Sequence, residues 1–226
     1  METDAATRRY RLWLRGLRSL RGELRSARWS NYPAQLAALV GCFVAHLESY
    51  HAARAELDPV VTLCAPWATA AERSAAYWLA GWRSTTLVHL LYTESGRRLQ
   101  AQLPDLLLGV RWPGNLGDLG PAQLARVDAL QRRAVAEEDA LSREMARVQE
   151  GRGGVVTAGP EVALDMGVLV ARLGAVLRGA DALRLRTMRQ AVEILQPAQA
   201  AELLIAAADL EIGLHEFGLK YGGRDE

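Results

Sequence analysis

The chain has 226 residues, yet it carries one lysine, two cysteines and two phenylalanines. The lysine is Lys220, so the basic set is otherwise arginine. Cys42 and Cys64 are too few to staple a chain this long, and they read as reduced, buried thiols of an intracellular protein. No run of ~18 apolar residues occurs, so no membrane-spanning helix is expected. The opening residues METDAATRRYRLW lack an uninterrupted apolar stretch, which argues against a secretory signal. Charge of one sign is lacking too. Lys+Arg is 27 and Asp+Glu is 26, a net charge of +1, which disfavours a strongly basic nucleic-acid binder or an acidic tail protein.

Catalytic motifs are also absent. There is no phosphate-binding P-loop, H-E-x-x-H, C-x-x-C or G-x-S-x-G elbow. Gly114-Asn-Leu-Gly117 is too short for a dinucleotide fingerprint and reads as a loop. His46 and His51 lie five apart on one helix, a turn of about 500° that points the rings some 140° away from each other. That spacing suits no two-histidine metal clamp, and no metal site is expected. His89 sits between Leu87 and Leu90 and reads as helix packing. Glu137-Glu138-Asp139, close to Arg132 and Arg133, reads as a solvated, salt-bridged face.

What the chain does have is helix-forming composition. Half of its residues are apolar and 23% are charged, enough to build a core, and Leu, Ala, Arg and Glu dominate. Apolar steps of three and four predict an all-α bundle of about seven helices, with no convincing strand. The expected helices cover Thr7–Arg28, a second from a cap at Asn31 to before Asp58, and a third from a Thr69-x-x-Glu72 capping box to about Gly81. Ser84 is expected to cap a fourth, ending near Leu103. Pro121 would start a fifth to about Glu150, with Leu124, Val127, Leu130, Val135 and Leu141 as its buried stripe. A sixth covers Pro160 to Gln196, with a break expected near Gly179, and a seventh runs from Pro197 to about Gly218. Residues 151–159, with Gly151, Gly153 and Gly154, read as a flexible linker inside one domain. Whether the bundle holds one core or two stays open.

The first helix stands apart. Arg8, Arg9, Arg11, Arg15, Arg18, Arg21, Arg25 and Arg28 share it with a single acid, Glu23, while Tyr10, Trp13, Leu14, Leu17 and Leu24 form an apolar stripe. A basic amphipathic helix of this kind can meet an acidic protein surface, a calmodulin-like groove or anionic lipid, or it can simply pack on the bundle. The candidate partner-binding residues are Tyr10, Arg11, Trp13, Leu14, Arg15, Leu17 and Arg18.

An ordered series of segments resembles the plant delay-of-germination family, whose domain also forms the C-terminal region of TGA-type basic-zipper transcription factors. The series begins with Pro66-Trp67-Ala-Thr-Ala-Ala-Glu72-Arg73 and Trp78-Leu-Ala-Gly81-Trp82-Arg83. It continues with Leu116-Gly-Asp118-Leu-Gly-Pro121-Ala-Gln123-Leu124, Val127-Asp128-Ala-Leu130-Gln131-Arg132-Arg133 and Arg147-Val148-Gln149-Glu150. It ends with Ala180-Asp181-Ala-Leu183-Arg184-Leu-Arg186-Thr187, Ile194-Leu195-Gln196-Pro197-Ala-Gln199-Ala and Leu214-His215-Glu216-Phe217. The similarity spans about Tyr10 to Gly218. Ser84 stands where the family usually has proline.

The resemblance implies a non-enzymatic plant regulator of seed dormancy, abscisic-acid signalling and transcription, in the nucleus and/or cytoplasm. It implies protein partners, a type 2C protein phosphatase or a transcription regulator, and places the phosphatase-contacting segment near Tyr10, Trp13 and Leu14. TGA-type members bind DNA through a zipper placed before this domain. No zipper heptads are found here, so a stand-alone member without sequence-specific DNA binding is expected. Some members are thought to bind haem through histidines, for which His46, His51 and His215 are the candidates. An apolar ligand between the helices is the alternative reading.

Overall fold

The computed structural model describes residues 2–28, 33–110, 114–151, 155–158 and 161–221. Among these are seven α-helices: α1 (Glu2–Ala27), α2 (Pro33–Ala55), α3 (Pro59–Cys64), α4 (Ser84–Leu107), α5 (Pro121–Gln149), α6 (Met166–Ile194) and α7 (Pro197–Tyr221). The all-α class expected from periodicity is the class observed. The one β element is an antiparallel hairpin, β1 (Val155–Ala158) with β2 (Glu161–Leu164), in register Val155 to Leu164. β1 falls in the segment read as a linker, while β2 takes residues expected to open the sixth helix, which starts at Met166 instead.

Helix starts follow the prolines. Pro33, Pro59, Pro121 and Pro197 each open a helix, where the missing N–H costs nothing and φ is already helical. Asp58 caps α3, accepting from Val60 N at 2.8 Å and Val61 N at 3.2 Å. Asp165 caps α6 through Val168 N at 3.1 Å. At α5 and α7 the glutamine two residues after the proline reaches back. Gln123 Oε1 accepts from Gly120 N at 3.1 Å, and Gln199 Oε1 accepts from Gln196 N at 2.9 Å. Gln123 Nε2 then donates to Gln199 Oε1 at 2.8 Å, so the two helix starts lock together. The expected cap Asn31 lies outside the described residues.

Several expectations need correction. α1 starts earlier, at Glu2. The Thr69–Glu72 capping box forms, with Thr69 N donating to Glu72 Oε2 at 2.6 Å and Glu72 N to Thr69 Oγ1 at 3.3 Å. The helix it opens is a single π-helical turn, Glu72–Ala76, not a helix to Gly81. Tyr77 is extended, and Leu79 and Ala80 are left-handed, with φ of 50° and 61°. Ser84 is the first residue of α4; Arg83 occupies the cap position without a side-chain bond. α4 continues through Pro104 to Leu107. α6 is unbroken at Gly179, where a Cβ would come 2.9 Å from Leu141 Cδ2, so the glycine permits close α5–α6 approach instead of ending the helix. Leu124 and Val135 face solvent while Val127 and Leu130 are buried. Cys42 and Cys64 are exposed, not buried. By length and composition α2 could cross a membrane, contrary to expectation; here it packs against α1, α6 and α7.

Two apolar clusters form. The larger joins α1, α2, α4 and α7 with the N-terminal half of α5 and the C-terminal half of α6, through residues such as Tyr10, Phe43, Leu91, Val127, Ile194 and Leu203. The smaller gathers Ala80, Met145, Leu173, Val176 and Leu177. α5 and α6 have 29 residues each, ~44 Å at 1.5 Å per residue, which lets one helix pair span both clusters.

α7 generates a paired prediction. A Cβ on buried Gly218 would lie 2.1 Å from Thr69 Oγ1, whereas one on Gly213 meets nothing within 4 Å. Gly218→Ala should destabilise the fold by about 1–3 kcal/mol through overpacking. Gly213→Ala should stabilise it by about 0.5–1 kcal/mol through lower unfolded-state entropy. Denaturant unfolding of the two variants checks the opposite signs.

Candidate functional site

α1 divides its side chains by face. Tyr10, Trp13, Leu14 and Leu17, expected to touch a partner, are core residues instead; none is more than 8% exposed. Burying that stripe removes apolar area from water, and it leaves these four side chains closed to any partner. The arginines split too. Arg18 pairs with Glu216 at 3.1 Å, Arg21 and Arg25 with Asp209 at 3.2 and 2.7 Å, and Arg28 with Glu202 at 3.0 Å. Those four tie α1 to α7. Arg8, Arg11 and Arg15 are exposed and make no ion pair among the described residues. Leu12, 58% exposed, lies among them. Positions 8, 11, 12 and 15 fall on one helical face.

Beneath α1 the aromatic rings stack. Trp13 lies between Tyr50, at 4.3 Å between centroids, and His46, at 5.8 Å and nearly parallel. His46 Nε2 donates to Trp13 O at 2.9 Å.

Deeper, Tyr10 joins two carboxyls. Its Oη is 2.7 Å from Glu72 Oε1 and 2.9 Å from Glu211 Oε1. Glu72, the capping-box residue, also accepts from His215 Nδ1 at 3.0 Å. Glu211 Oε2 accepts from Trp82 Nε1. One hydroxyl hydrogen serves one carboxyl, so the other contact needs a hydrogen from a carboxyl. Burial raises the Glu211 pKa above the usual carboxyl range; the Trp82 and Tyr10 bonds offset part of this, and the neighbouring Glu72 adds to it. Glu211 therefore holds the second hydrogen.

A second buried network centres on Asp181. His51 Nδ1 is 3.1 Å and Arg54 Nη2 3.7 Å from Asp181 Oδ1, and Arg184 Nη1 donates to the same oxygen at 2.6 Å. Burial works against the Asp181 charge, but Arg54, His51 and Arg184 outweigh it and hold the carboxyl well below its usual range. For His51 burial wins, and its pKa is lowered. Arg184 also holds the turn after Tyr77. Its Nε donates to Trp82 O at 2.6 Å, and its Nη2 to Leu79 O at 3.1 Å and to Trp78 O. Left-handed non-glycine residues cost about 1–2 kcal/mol each, and these bonds hold Leu79 and Ala80 there. A third network corrects the solvated reading at Glu138 alone; Glu137 and Asp139 are exposed, and Glu137 pairs with Arg186. Glu138 is buried and accepts from Thr85 N at 2.8 Å, Thr85 Oγ1 at 3.0 Å and Arg83 Nη1 at 3.3 Å. His89 is exposed, not packed, with its Nε2 3.4 Å from Gln131 Nε2.

Between the stacked rings and the 77–83 turn lies a cavity of about 150 Å³. Trp13, Phe43, Leu47, Leu87, Leu90 and Met188 give it an apolar wall, and His51, Arg54, Arg184 and Glu211 border it. The residues present do not fit a haem. Of the three candidate ligands only His51 lines the cavity, whose volume is far below that of a porphyrin, and His46 Nε2 is taken by Trp13 O. Among the described residues no three His, Cys, Asp or Glu side chains group as a metal site would require.

Sequence reading saw Glu72 only as a cap and passed over Arg54, Asp181, Arg184 and Glu211 as site residues. One signal was available: Asp181 and Arg184 sit in the apolar run Ala180-Asp181-Ala-Leu183-Arg184, where charge implies a buried partner.

The described residues thus form an all-α bundle whose cavity is bordered by buried ionic junctions. The family model described as DOG1, seed dormancy control, matches residues 16–93, from α1 into α4. Protein DOG1-like 3 of Arabidopsis thaliana is 29% identical over 203 residues, covering 81% of this chain and 72% of that protein. Protein DOG1-like 2 of the same plant is 29% identical over 211 residues, covering 83% and 79%. Transcription factor TGA2, also from Arabidopsis thaliana, is 28% identical over 214 residues, covering 87% of this chain and 58% of that protein. Over most of its length the chain is similar to these DOG1-like proteins, and it is similar to the TGA factors as well.

Two predictions follow from these junctions. Glu211 has a folded pKa above its unfolded one, so it costs no stability while both states keep the proton. Its contribution falls as pH rises past the unfolded value of ~4.3 and levels off once the folded carboxyl ionises. Glu211→Gln keeps the Trp82 and Tyr10 bonds and removes that slope. Its Tm should exceed the parent's at pH 7 and match it at pH 4; an equal difference at both would mean that Glu211 is already ionised in the fold. Separately, haemin should give no saturable histidine-ligated Soret band. A stoichiometric band that disappears on changing His46, His51 or His215 to Ala would contradict the fit described above.

Proposed function

We propose that the chain is a non-enzymatic interaction module that restrains a type 2C protein phosphatase in seed dormancy and abscisic-acid signalling, in the nucleus and/or cytoplasm. The supporting observation is the face formed by Arg8, Arg11, Leu12 and Arg15, three guanidiniums without an ion pair among the described residues around one exposed leucine. The other side of α1 is fixed in the core, so this face is presented rigidly, which lowers the ordering cost of binding. Its charge suits an acidic surface, and the same chemistry would serve a transcription regulator or a calmodulin-like partner.

A second reading is a small-ligand sensor, favoured by the apolar cavity beside the 77–83 turn. Occupancy there would bias the turn and, through Trp13, the anchorage of α1.

Changing Arg8, Arg11 and Arg15 together to Ala should slow association with a panel of plant type 2C phosphatases, most at low salt, because steering is screened. Tm should barely move, since exposed charges contribute little to stability. Arg18→Ala, which breaks only the Glu216 pair, should have a smaller effect on association. Unchanged rates for the triple variant across a salt series would rule out this face.

A further inference from the structure

Three side chains around the cavity each carry a buried donor atom without an acceptor among the described residues. Trp13 Nε1, Ser84 Oγ and Arg54 Nε are buried atoms without a hydrogen-bond partner, and all three residues line the same space. The residues are no more than 8% exposed. Each unsatisfied buried group costs about 1–3 kcal/mol, and three around one apolar cavity are rare in a finished core. Two are obligate donors and the hydroxyl can donate, so the missing component brings acceptor oxygens.

Charge points the same way. Arg54 and Arg184 are buried against one carboxylate, Asp181. Burial lowers the His51 pKa and raises that of Glu211, which disfavours a charge on either. Two guanidiniums against one carboxylate leave positive charge in excess here, and a buried excess charge is stabilised by a counter-charge. Size sets the rest. An apolar cavity of about 150 Å³ holds one small ring system, too little for a porphyrin or a long acyl chain.

We infer that this cavity binds a compact aromatic or alicyclic monocarboxylate, its ring against Trp13, Phe43, Leu87 and Met188 and its carboxylate on Arg54, Trp13 Nε1 and Ser84 Oγ. This rests on the ligand-sensor reading and gives it a ligand class. No bond is made or broken; the carboxylate accepts the three free hydrogens and neutralises the excess charge.

Titration of the full chain with 1-naphthoate, followed by calorimetry and tryptophan fluorescence, tests it. One saturable site is expected, with methyl 1-naphthoate at least about tenfold weaker and palmitate weaker still. Trp13→Phe keeps a ring and removes the donor; Ser84→Ala removes a hydroxyl. Each should weaken 1-naphthoate by about three- to tenfold with the circular-dichroism melt retained. If ester and acid bind alike, the cavity is a ligand site but the anion assignment fails. If neither binds the folded protein, the sensor reading fails with it. Tighter binding of palmitate than 1-naphthoate overturns the size class, and affinity unchanged in both variants places the ligand elsewhere and overturns the assignment.

Discussion

A buried guanidinium must find acceptors for its N–H groups, and Arg184 finds four at once. It bonds the carbonyls of Trp78, Leu79 and Trp82 and the carboxylate of Asp181. That requirement holds two consecutive residues in a left-handed conformation and fixes the 77–83 turn against α6. The turn in turn carries Trp82 to Glu211, and Glu211 meets Tyr10 of α1. Removing one partner of such a junction leaves a charge stranded in the interior, which costs far more than the pair contributes. The junctions therefore specify one arrangement of helices more than they add to its stability.

α1 shows what this arrangement leaves at the surface. Its apolar stripe is spent on the core, and the arginines facing α7 are spent on Asp209, Glu202 and Glu216. What remains is a narrow basic face with one exposed leucine. Of the residues marked in the sequence as a contact, the fold hides Tyr10, Trp13, Leu14 and Leu17, while Arg11 and Arg15 stay exposed beside Arg8 and Leu12.

The cavity and the α1 face are physically continuous. Trp13 lines the cavity, stacks on Tyr50 and His46, and sits next to Leu12 and two residues before Arg15. A ligand that orders Trp13 would stiffen the helix that presents the arginines, a coupling that acts by rigidity without a large movement.

Helix number, most helix starts and the all-α class were legible in the chain, because backbone hydrogen bonding and capping are local: a proline at the first turn or a Thr69-x-x-Glu72 box acts within four residues. The ordered motifs also pointed to the delay-of-germination-like relatives. Which charges are buried was not legible. Glu138 and Asp181 lie in stretches that look no different from solvated helix faces, and their partners come from other helices: Thr85 and Arg83 for one, Arg54 and His51 for the other. The helix expected to reach Gly81 stops at Ala76, because Arg184, more than a hundred positions away, offers the turn's carbonyls better partners than another helical turn would. Local sequence sets where helices can begin; only the tertiary structure decides which polar groups must be satisfied by distant residues, since burial depends on what the rest of the chain places around them.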